Sequence, residues 1–494
     1  MKLFTSEQVK TWDAYTIRES GITSFDLMQR ACRAFVSWFT ERYNASHKVC
    51  IVCGSGNNGG DGLGIALLLH EWNYPVDVLI VRGSNATPDF NASLKLLEGR
   101  IKAKEITSPA MEINRGSVVI DALLGTGLSR ELSGLYADVI RKLNALDVVR
   151  IAVDVPSGLR VDAPSSGEIF KADHTVTFQA PKLGFLLPQN RVFVGHWHVV
   201  DIGLSKAFAK ETPAKHFLVN LKSVKRLIKP RNQFSHKGNF GHALLIAGSK
   251  GKMGAAVLAA RAALRSGVGL LTAHVPAEGN VIMQSAVPEG MTTQDVSPDY
   301  FSGREVESFY STVGIGPGLG QAPETLNGFK HLLSQCTQPM VLDADALNLL
   351  AANPDLRTKI SEGSLLTPHP GEFKRLTGEW LDDFDKLKKQ NALAEQLKSV
   401  ILLKGAYSSI ALPDGSVYFN TTGNPGMATG GSGDVLTGVL TSLLAQGYPA
   451  AEAAVIGAYV HGMAGDLAAR AIGETGLIAG DLVNYLPAAF KRLV

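Results

Sequence analysis

Short polar side chains follow apolar, strand-like segments at three places in the first half of the chain. At the first, GSGNNGGDG, the residues Asn57, Asn58 and Asp61 stand among glycines spaced as G-x-G-x-x-G. Such glycines let backbone N–H groups approach a phosphate at the start of a helix. The polar side chains can also orient a ligand or coordinate a hard cation. The alternative for Asp61 is the N-cap of the following helix.

The other two places carry carboxylates. Asp121 lies within VVIDALLGTGL, and Asp154 lies within RIAVDVPSG, shortly before Ser157. A carboxylate in an otherwise apolar strand is costly unless it is paired or binds a cation. Because the carboxyl ends of parallel strands lie on one edge of a sheet, we expect these groups to converge with the glycine-rich loop.

The second half contains one dense loop of glycine, serine and threonine, NTTGNPGMATGGSGD, that runs into a predicted helix. Gly430, Gly431 and Gly433 leave backbone N–H groups free to form an anion-binding concavity. Asp434 follows, and its carboxylate can accept the proton of a hydroxyl that attacks a phosphoryl group, with Mg²⁺ as counter-charge. The alternative for Asp434 is a simple N-cap, which would need none of the preceding glycines.

Further polar residues follow predicted strands in the same half. Asp343 and Asp345 occur in VLDADALNLL, and the sequence leaves open which is structural and which reaches a metal or ligand. His369 stands between two prolines in TPHPGEF, a position compatible with ligand contact and equally with ordinary packing or solvent exposure. Glu372 suits the first turn of a helix, and Lys404 in LLKGAYSS suits a nucleotide phosphate.

Apolar, β-rich segments alternate with helical segments in both halves, which predicts parallel sheets covered on both faces. The expected strands span residues 48–53, 76–81, 118–124, 150–155, 174–178, 242–247, 269–275, 312–315, 340–343, 364–366 and 400–404. A hairpin is expected about the Pro-Asp-Gly turn at 413–415. Residues 203–240 are polar, basic and interrupted by proline. We place a boundary there, at about residue 220, which gives α/β domains of residues 1–220 and 221–494.

The bulk composition excludes several classes of protein. The 494 residues carry 48 basic and 45 acidic side chains, a balance that argues against a nucleic-acid-binding or membrane-surface protein. The 4 cysteines are irregularly spaced, as in a reducing compartment. Cys50 and Cys53 form a lone C-x-x-C, which we interpret as two packed residues facing opposite sides of a strand. The N-terminus lacks an apolar leader, so we expect a cytoplasmic protein without a membrane span.

Taken together, NNGGD, DALLGTGLSR and DVPSG resemble the N-terminal domain of the NAD(P)H-hydrate epimerase family, over about residues 5–215. The resemblance implies a Rossmann-like three-layer sandwich and a potassium ion held by Asn58, Asp121 and Ser157. Asp154 is the candidate for acid–base chemistry. By the same resemblance, the contacts to the hydrated dinucleotide are Asn57, Asn58, Gly59, Gly60, Asp61, Gly125, Thr126, Gly127, Leu128, Ser129, Arg130, Glu131, Tyr136 and Asp154.

In the second half, G-x-G-D resembles the ribokinase-like superfamily. TPHPGEF, KGAYS and NPGMATGGSGD, in that order, resemble the NAD(P)H-hydrate dehydratase family over about residues 225–494. The resemblance implies a ribokinase-like α/β domain with Asp434 as catalytic base and ADP or ATP as phosphoryl donor. Bacterial members characteristically use ADP, a choice that the composition does not decide. The implied contacts are Ala255, Gly318, His369 and Asp434 for the hydrate, and Lys404, Gly405, Ala406, Tyr407, Ser408 and Gly433 for the nucleotide.

Both resemblances imply an enzyme that repairs hydrated NADH and NADPH. The first domain would interconvert the R and S hydrates, and the second would dehydrate the S hydrate with the help of a nucleotide. The partners would be these small molecules, and we expect a homo-oligomer. The main alternative is a ribokinase-class small-molecule kinase whose first domain binds a dinucleotide for regulation without catalysis. Such a kinase would release a stable phosphorylated product.

Overall fold

A computed structural model describes residues 1–83, 85–128 and 131–494 of the chain. These residues divide into two compact units, each built from alternating strands and helices. The N-terminal unit comprises residues 2–214 and 382–384, and Met1 with residues 215–381 and 385–494 forms the C-terminal unit. Throughout the described part of the chain, every helix is too short or too polar to cross a lipid bilayer.

The seven strands β2 to β8 of the N-terminal unit form one parallel sheet, in the order β4-β3-β2-β5-β6-β7-β8. The elements are β1 (Lys2–Leu3), α1 (Ser6–Ser20), α2 (Ser24–Thr40), β2 (Val49–Cys53), α3 (Asn57–Glu71), β3 (Val76–Ile80), α4 (Pro88–Leu97), β4 (Ala103–Glu105), β5 (Val118–Ala122), α5 (Gly134–Asn144), β6 (Val149–Val153), β7 (His174–Phe178), α6 (Arg191–Val194), β8 (His196–Val200) and α7 (Lys206–Glu211).

Strand β2 shows how this sheet is covered on both faces. Ile51 and Cys53 pack in a core with helices α2, α3 and α4, whereas Cys50 and Val52 pack in a second core with helix α5. This arrangement confirms the three-layer α/β fold. Cys50 and Cys53 are buried, free and on opposite faces, as the sequence predicts.

In the C-terminal unit the strand order is β9-β18-β17-β16-β15-β14-β13-β10-β11-β12, and neighbours are parallel except in the hairpin β16-β17-β18. The elements are β9 (His216–Leu218), α8 (Leu221–Lys225), β10 (His242–Ile246), α9 (Met253–Arg265), β11 (Leu270–Val275), α10 (Gly279–Ala286), β12 (Met291–Gln294), β13 (Thr312–Ile315), α11 (Pro323–Gln335), β14 (Met340–Leu342), α12 (Ala344–Ala352), β15 (Leu365–Leu366), α13 (Pro370–Thr377), α14 (Asp383–Leu397), β16 (Val400–Leu403), β17 (Ser409–Ala411), β18 (Val417–Phe419), α15 (Ser432–Ala445), α16 (Ala450–Ile472) and α17 (Ala479–Lys491).

Helix α15 lies in the middle of the C-terminal core, and its residues from Val435 to Ala445 are all buried. It crosses helix α9 so closely that a Cβ atom at Gly438 would lie 2.0 Å from the carbonyl oxygen of Ala259. A larger side chain at Gly438 would therefore separate the two helices. This close crossing positions the glycine-rich loop that leads into α15.

The elements that the sequence does not predict include helices α16 and α17 and strands β1, β4, β8, β9 and β12. Helix α16 is buried on most of its faces, so its apolar residues do not show the one-sided period of a surface helix. Strands β4 and β12 have 3 and 4 residues, too few for an alternating pattern to stand out.

Candidate functional site

The glycine-rich loop of the N-terminal unit is partly required by backbone packing. A Cβ atom at Gly54 would lie 2.0 Å from the carbonyl oxygen of Leu123, and one at Gly59 would lie 1.9 Å from that of Gly54. Helix α3 begins at Asn57 with Gly56 as N-cap, so the alternative of Asp61 as N-cap is wrong. The first turn of the helix is formed by Asn57, Asn58, Gly59 and Gly60, so the helix starts before Asp61.

The three predicted potassium ligands converge beside Leu124. Asp121 is fully buried and accepts hydrogen bonds from the Ser157 hydroxyl (2.7 Å), the Ser157 N–H (2.8 Å) and the Leu123 N–H (3.1 Å). The Asn58 amide donates to the Leu124 carbonyl (3.0 Å), and the Leu124 N–H donates to the Ser157 hydroxyl (2.8 Å). Burial raises the pKa of Asp121 to about 6, against the hydrogen bonds from Ser157 and Leu123.

Asp154 follows strand β6 and is paired with a lysine that the sequence analysis missed. Its Oδ1 atom accepts hydrogen bonds from the Thr177 hydroxyl (2.9 Å), the Phe178 N–H (3.0 Å) and Lys182 Nζ (2.5 Å). The Lys182 side chain is 2% exposed. The signal that could have revealed it is a lone charge in the apolar run APKLGFLL.

Two further carboxyl groups interact with this pair. Burial raises the pKa of Asp13 to about 7, and the charge of Asp154 raises it further while that of Lys182 lowers it. Burial, followed by the charges of Asp154 and Asp13, raises the pKa of Asp61 well above its usual value. A lysine-paired carboxylate beside carboxyl groups that tend to stay protonated is suited to both giving and taking a proton. Asp13 lies on α1, far along the chain from any glycine loop, and no motif in the sequence points to it.

The remaining predicted contacts of the N-terminal unit lie along the same strand ends. A Cβ atom at Gly125 would lie 3.5 Å from Cβ of Asn58, so the two residues are neighbours. The Tyr136 hydroxyl donates to the Val81 carbonyl (3.0 Å). Glu131 accepts a hydrogen bond from the Ser166 hydroxyl (3.0 Å). Thr126, Gly127 and Leu128 form a partly exposed loop, and Ser129 and Arg130 lie outside the described residues.

In the C-terminal unit, Asp434 is the third residue of helix α15 and not its N-cap. The N-cap is Gly431, whose φ of 90° is readily adopted by glycine. Burial raises the pKa of Asp434 to about 6, and the charge of Asp343 raises it further while that of Lys404 lowers it. The pKa of this carboxyl group therefore lies closer to neutral pH than that of an ordinary aspartate, and the group is mostly ionised at about pH 7.

A partly buried ion pair lies next to the loop. Lys404 Nζ donates to Asp343 Oδ1 (2.7 Å), and the Thr437 hydroxyl donates to Asp343 Oδ2 (2.7 Å). A Cβ atom at Gly433 would lie 3.3 Å from Lys404 Nζ, so the lysine and the loop are in contact. The structure thereby joins two predicted nucleotide contacts, Lys404 and Gly433, and identifies Asp343 as the partner of the lysine.

Asp345 has a different role, since it holds the glycine turn that follows strand β13. It accepts hydrogen bonds from the Gly320 N–H (2.8 Å) and from Gln321 Nε2 (2.8 Å). In this turn a Cβ atom at Gly318 would lie 3.1 Å from Cβ of Ala255. The two predicted hydrate contacts, Ala255 and Gly318, are thus in contact with each other.

His369 is the N-cap of helix α13 and forms a capping box with Glu372. The His369 Nδ1 atom accepts hydrogen bonds from the backbone N–H groups of Gly371 (3.0 Å) and Glu372 (3.3 Å). The backbone N–H of His369 donates to Glu372 Oε2 (2.8 Å). Glu372 therefore has the predicted first-turn position. The imidazole side chain is 50% exposed, and burial and then the charge of Lys404 lower its pKa, which favours a neutral ring. The rest of the predicted nucleotide segment, Gly405, Ala406, Tyr407 and Ser408, forms a turn after strand β16.

Two residues of helix α16 hold the glycine-rich loop and were missed by the sequence analysis. His461 Nε2 donates to the Ser432 carbonyl (2.9 Å), and burial lowers the pKa of this histidine to about 4. Asp466 accepts hydrogen bonds from the Gly423 N–H (3.1 Å) and from Asn424 Nδ2 (3.0 Å). The neutral histidine and the carboxylate anchor the two ends of the loop.

Both halves of the chain match known families. The family described as NAD(P)H-hydrate dehydratase matches residues 243–488, and the family described as YjeF-related protein N-terminus matches residues 24–184. The bifunctional NAD(P)H-hydrate repair enzyme of Moorella thermoacetica is 36% identical over 100% of this chain and 97% of its own length. The enzyme of the same name from Escherichia coli is 34% identical over 94% of this chain and 89% of its own length.

Solved structures match the C-terminal half. A ribokinase-like superfamily protein from Enterococcus faecalis is 26% identical, with a TM-score of 0.50, over 57% of this chain and 98% of its own. An ADP/ATP-dependent NAD(P)H-hydrate dehydratase from Bacillus subtilis, co-crystallised with ATP and Mg²⁺, is 33% identical with a TM-score of 0.49, over 56% and 98%. The first likeness confirms the ribokinase-like fold, and the full-length relatives confirm the resemblance found in the motifs. The chain belongs to the family of bifunctional NAD(P)H-hydrate repair enzymes.

Proposed function

We propose that this chain repairs hydrated NADH and NADPH with one activity in each unit. The N-terminal unit interconverts the R and S hydrates, and the C-terminal unit dehydrates the S hydrate with a nucleotide as phosphoryl donor. The observation that carries the proposal is Asp434, a partly buried carboxylate in the first turn of α15, above the Lys404–Asp343 pair. A ribokinase-class kinase would account for the C-terminal half alone, whereas the repair-enzyme relatives match the chain over both halves, which favours the repair function.

In the C-terminal unit, Asp434 accepts the proton of the hydrate hydroxyl as that oxygen forms a bond to the terminal phosphorus of the nucleotide. The shortened nucleotide leaves. The C–O bond of the phosphorylated hydrate then breaks, phosphate departs, and a proton lost from the neighbouring carbon leaves the dihydronicotinamide double bond. The N–H groups around Gly430 and Gly433 stabilise the transferred charge, and Lys404 places a positive charge below them.

The residues of the C-terminal unit fit a magnesium ion bound mainly through the nucleotide. Among the described residues there is no cluster of three histidine, cysteine, aspartate or glutamate side chains that could form a metal cage by itself. Mg²⁺ is ordinarily bound by one or two carboxylates together with substrate phosphates, so the nucleotide would supply most of its ligands and leave Asp434 free to accept a proton. When bound, the ion would neutralise phosphate charge during transfer.

In the N-terminal unit, we assign the hydrate to the start of α3 (Asn57–Asp61), to residues 125–131 and to Tyr136, with Asp154 exchanging protons. Asn58, Asp121 and Ser157 fit a potassium ion, because Asp121 is fully buried and its hydrogen-bond partners are neutral. A monovalent cation would compensate this charge, and the amide, carboxylate and hydroxyl groups offer the oxygen ligands that hard cations prefer.

Potassium should therefore stabilise the N-terminal unit. A cation at 100 times its Kd stabilises the folded state by about 2.7 kcal/mol, which raises the melting temperature of a domain of this size by about 5 °C or more. The measurement is the melting temperature in K⁺ against an equal concentration of a large organic cation. Asp121→Asn should lose the response. An equal rise for both cations, or for the variant, would contradict the assignment.

The pH dependence of dehydration should report Asp434. Its pKa is raised to about 6, and the carboxylate must be ionised to accept a proton. Since protonation removes the base, kcat/KM for the S hydrate should fall about tenfold for each pH unit below 6 and level off above about 7. The measurement is kcat/KM for the S hydrate at saturating nucleotide between pH 5 and 8. A flat profile would show that Asp434 is not the group that limits the reaction.

One assay tests the whole proposal. The protein is incubated with mixed R and S hydrates of NADPH and with ADP or ATP, and the recovery of dihydronicotinamide absorbance is followed. Full recovery supports both activities, and recovery of the S fraction alone removes the epimerase. No recovery, with a stable phosphorylated product from another alcohol, supports the kinase. The boundary near residue 220, the homo-oligomer and the cytoplasmic location stay predictions.

A further inference from the structure

Lys182 is a lysine whose ammonium group is enclosed by the protein. Its Nζ atom donates to Asp154 Oδ1 (2.5 Å), to the Thr177 hydroxyl oxygen (2.6 Å) and to the Phe178 carbonyl (3.3 Å). An ammonium group has three N–H donors, so all of them are used. Because a charged lysine with a side chain only 2% exposed is costly unless it is paired, its carboxylate partner determines its position.

The carboxylate of Asp154 is bound to the protein on one side only. Oδ1 accepts three hydrogen bonds, whereas Oδ2 accepts none from the residues that the structure describes, and the side chain is 15% exposed. The backbone of Asp154 has a φ of 61°, which non-glycine residues rarely adopt. The carboxylate is thus held through one oxygen while the other remains available.

We propose that Lys182 is a positioning residue for epimerisation: directly and through Thr177 it holds Oδ1 of Asp154, so that Oδ2 can exchange a proton with the bound hydrate. The inference rests on the proposed function of the N-terminal unit. Asp13 and Asp61 also act electrostatically on this site. The Lys182 ammonium supplies a positive charge beside Asp154, which a neutral side chain of the same length cannot supply.

Lys182→Met tests the inference, since methionine keeps most of the length and removes the charge. We expect kcat for epimerisation to fall about 100-fold, with KM changed by less than about threefold. The dehydratase activity of the same chain should be unchanged, because Asp434 lies in the other unit. In Lys182→Ala, added propylamine should restore kcat at least about tenfold, whereas 1-butanol, which fills the space without a charge, should not.

Two threonines of strand β7 provide a matched pair that keeps the lysine. Thr177→Val removes the hydroxyl between Lys182 and Asp154, and kcat should fall about tenfold. Thr175→Val removes an equally buried hydroxyl that donates to the Val194 carbonyl (2.7 Å) instead, and kcat should not change. The comparison separates an effect on Asp154 from a general loss of packing in the strand.

The outcomes are distinguishable. Wild-type kcat in folded Lys182→Met, or equal rescue by amine and alcohol, would overturn the role of Lys182. If Lys182→Met does not fold, as judged by the melting of the N-terminal unit, the threonine pair decides, and equal kcat values for its two members overturn the inference. If the wild-type chain itself does not accelerate epimerisation, the proposed function of the N-terminal unit is wrong, and the inference about Lys182 is removed with it.

Discussion

Replacing Asp434 with asparagine should lower kcat for dehydration of the S hydrate by about 10³-fold, the usual effect of losing a general base. The amide has nearly the same shape as the carboxylate but cannot accept the hydroxyl proton. Nucleotide should still bind, because the glycine loop and the Lys404–Asp343 pair are unchanged. The measurements are the recovery of dihydronicotinamide absorbance and nucleotide binding by calorimetry.

Glu452→Gln is the matched control for this variant. Glu452 is an acidic residue in the first turn of helix α16, as Asp434 is in α15, but no glycine-rich loop precedes it. It should keep wild-type kcat. If Asp434→Asn retains turnover within about tenfold of the wild type, the carboxylate is not the base, and a first-turn role in stabilising the helix becomes its explanation.

Asp154→Asn should stop epimerisation and leave dehydration intact. With mixed hydrates, the variant should consume the S fraction at the wild-type rate and then stop, so that the R fraction remains. We expect the epimerisation rate to fall by about 10²- to 10⁴-fold relative to the wild type after subtraction of an enzyme-free blank. The rate at which the variant consumes the S hydrate reports how much of the C-terminal unit is folded, so it serves as an internal control.

The same substitution should also destabilise the N-terminal unit, because it leaves the Lys182 ammonium buried without a counter-charge. The expected loss of unfolding free energy is about 3 kcal/mol, so activity is measured well below the melting temperature of the variant. Asp138→Asn, which changes an exposed carboxylate paired with Arg141, should affect neither quantity. Complete recovery of both hydrates by Asp154→Asn at the wild-type rate would remove Asp154 from the mechanism.

The sequence predicts the placement of a polar group best where a motif is local. Asp434 directly follows a glycine-rich loop, and the loop, the residue and the helix are contiguous in the chain. Asp121 is recognisable because a carboxylate in an apolar strand requires a partner. In both cases the identity and spacing of neighbouring residues are sufficient, since the backbone itself brings the groups together.

The residues that the sequence analysis missed interact over longer distances in the chain. Lys182 is separated from Asp154 by 28 positions, and Asp13 is on a helix of another part of the unit. His461 acts on the glycine loop from helix α16, whose lack of a one-sided apolar period concealed the helix itself. The sequence also could not separate the roles of Asp343 and Asp345, because their hydrogen-bond partners lie far from them in the chain.

By itself, the sequence determined the α/β class, the parallel sheets, the family and the glycine loop with Asp434, because these depend on periodicity and on motifs of adjacent residues. Only the tertiary structure decided which charges are paired. Asp343 and Lys404 are 61 positions apart, yet their atoms lie 2.7 Å from each other. The energy of a charge depends on its burial and on the distance to its partner, and both are determined by the order of strands in the sheet.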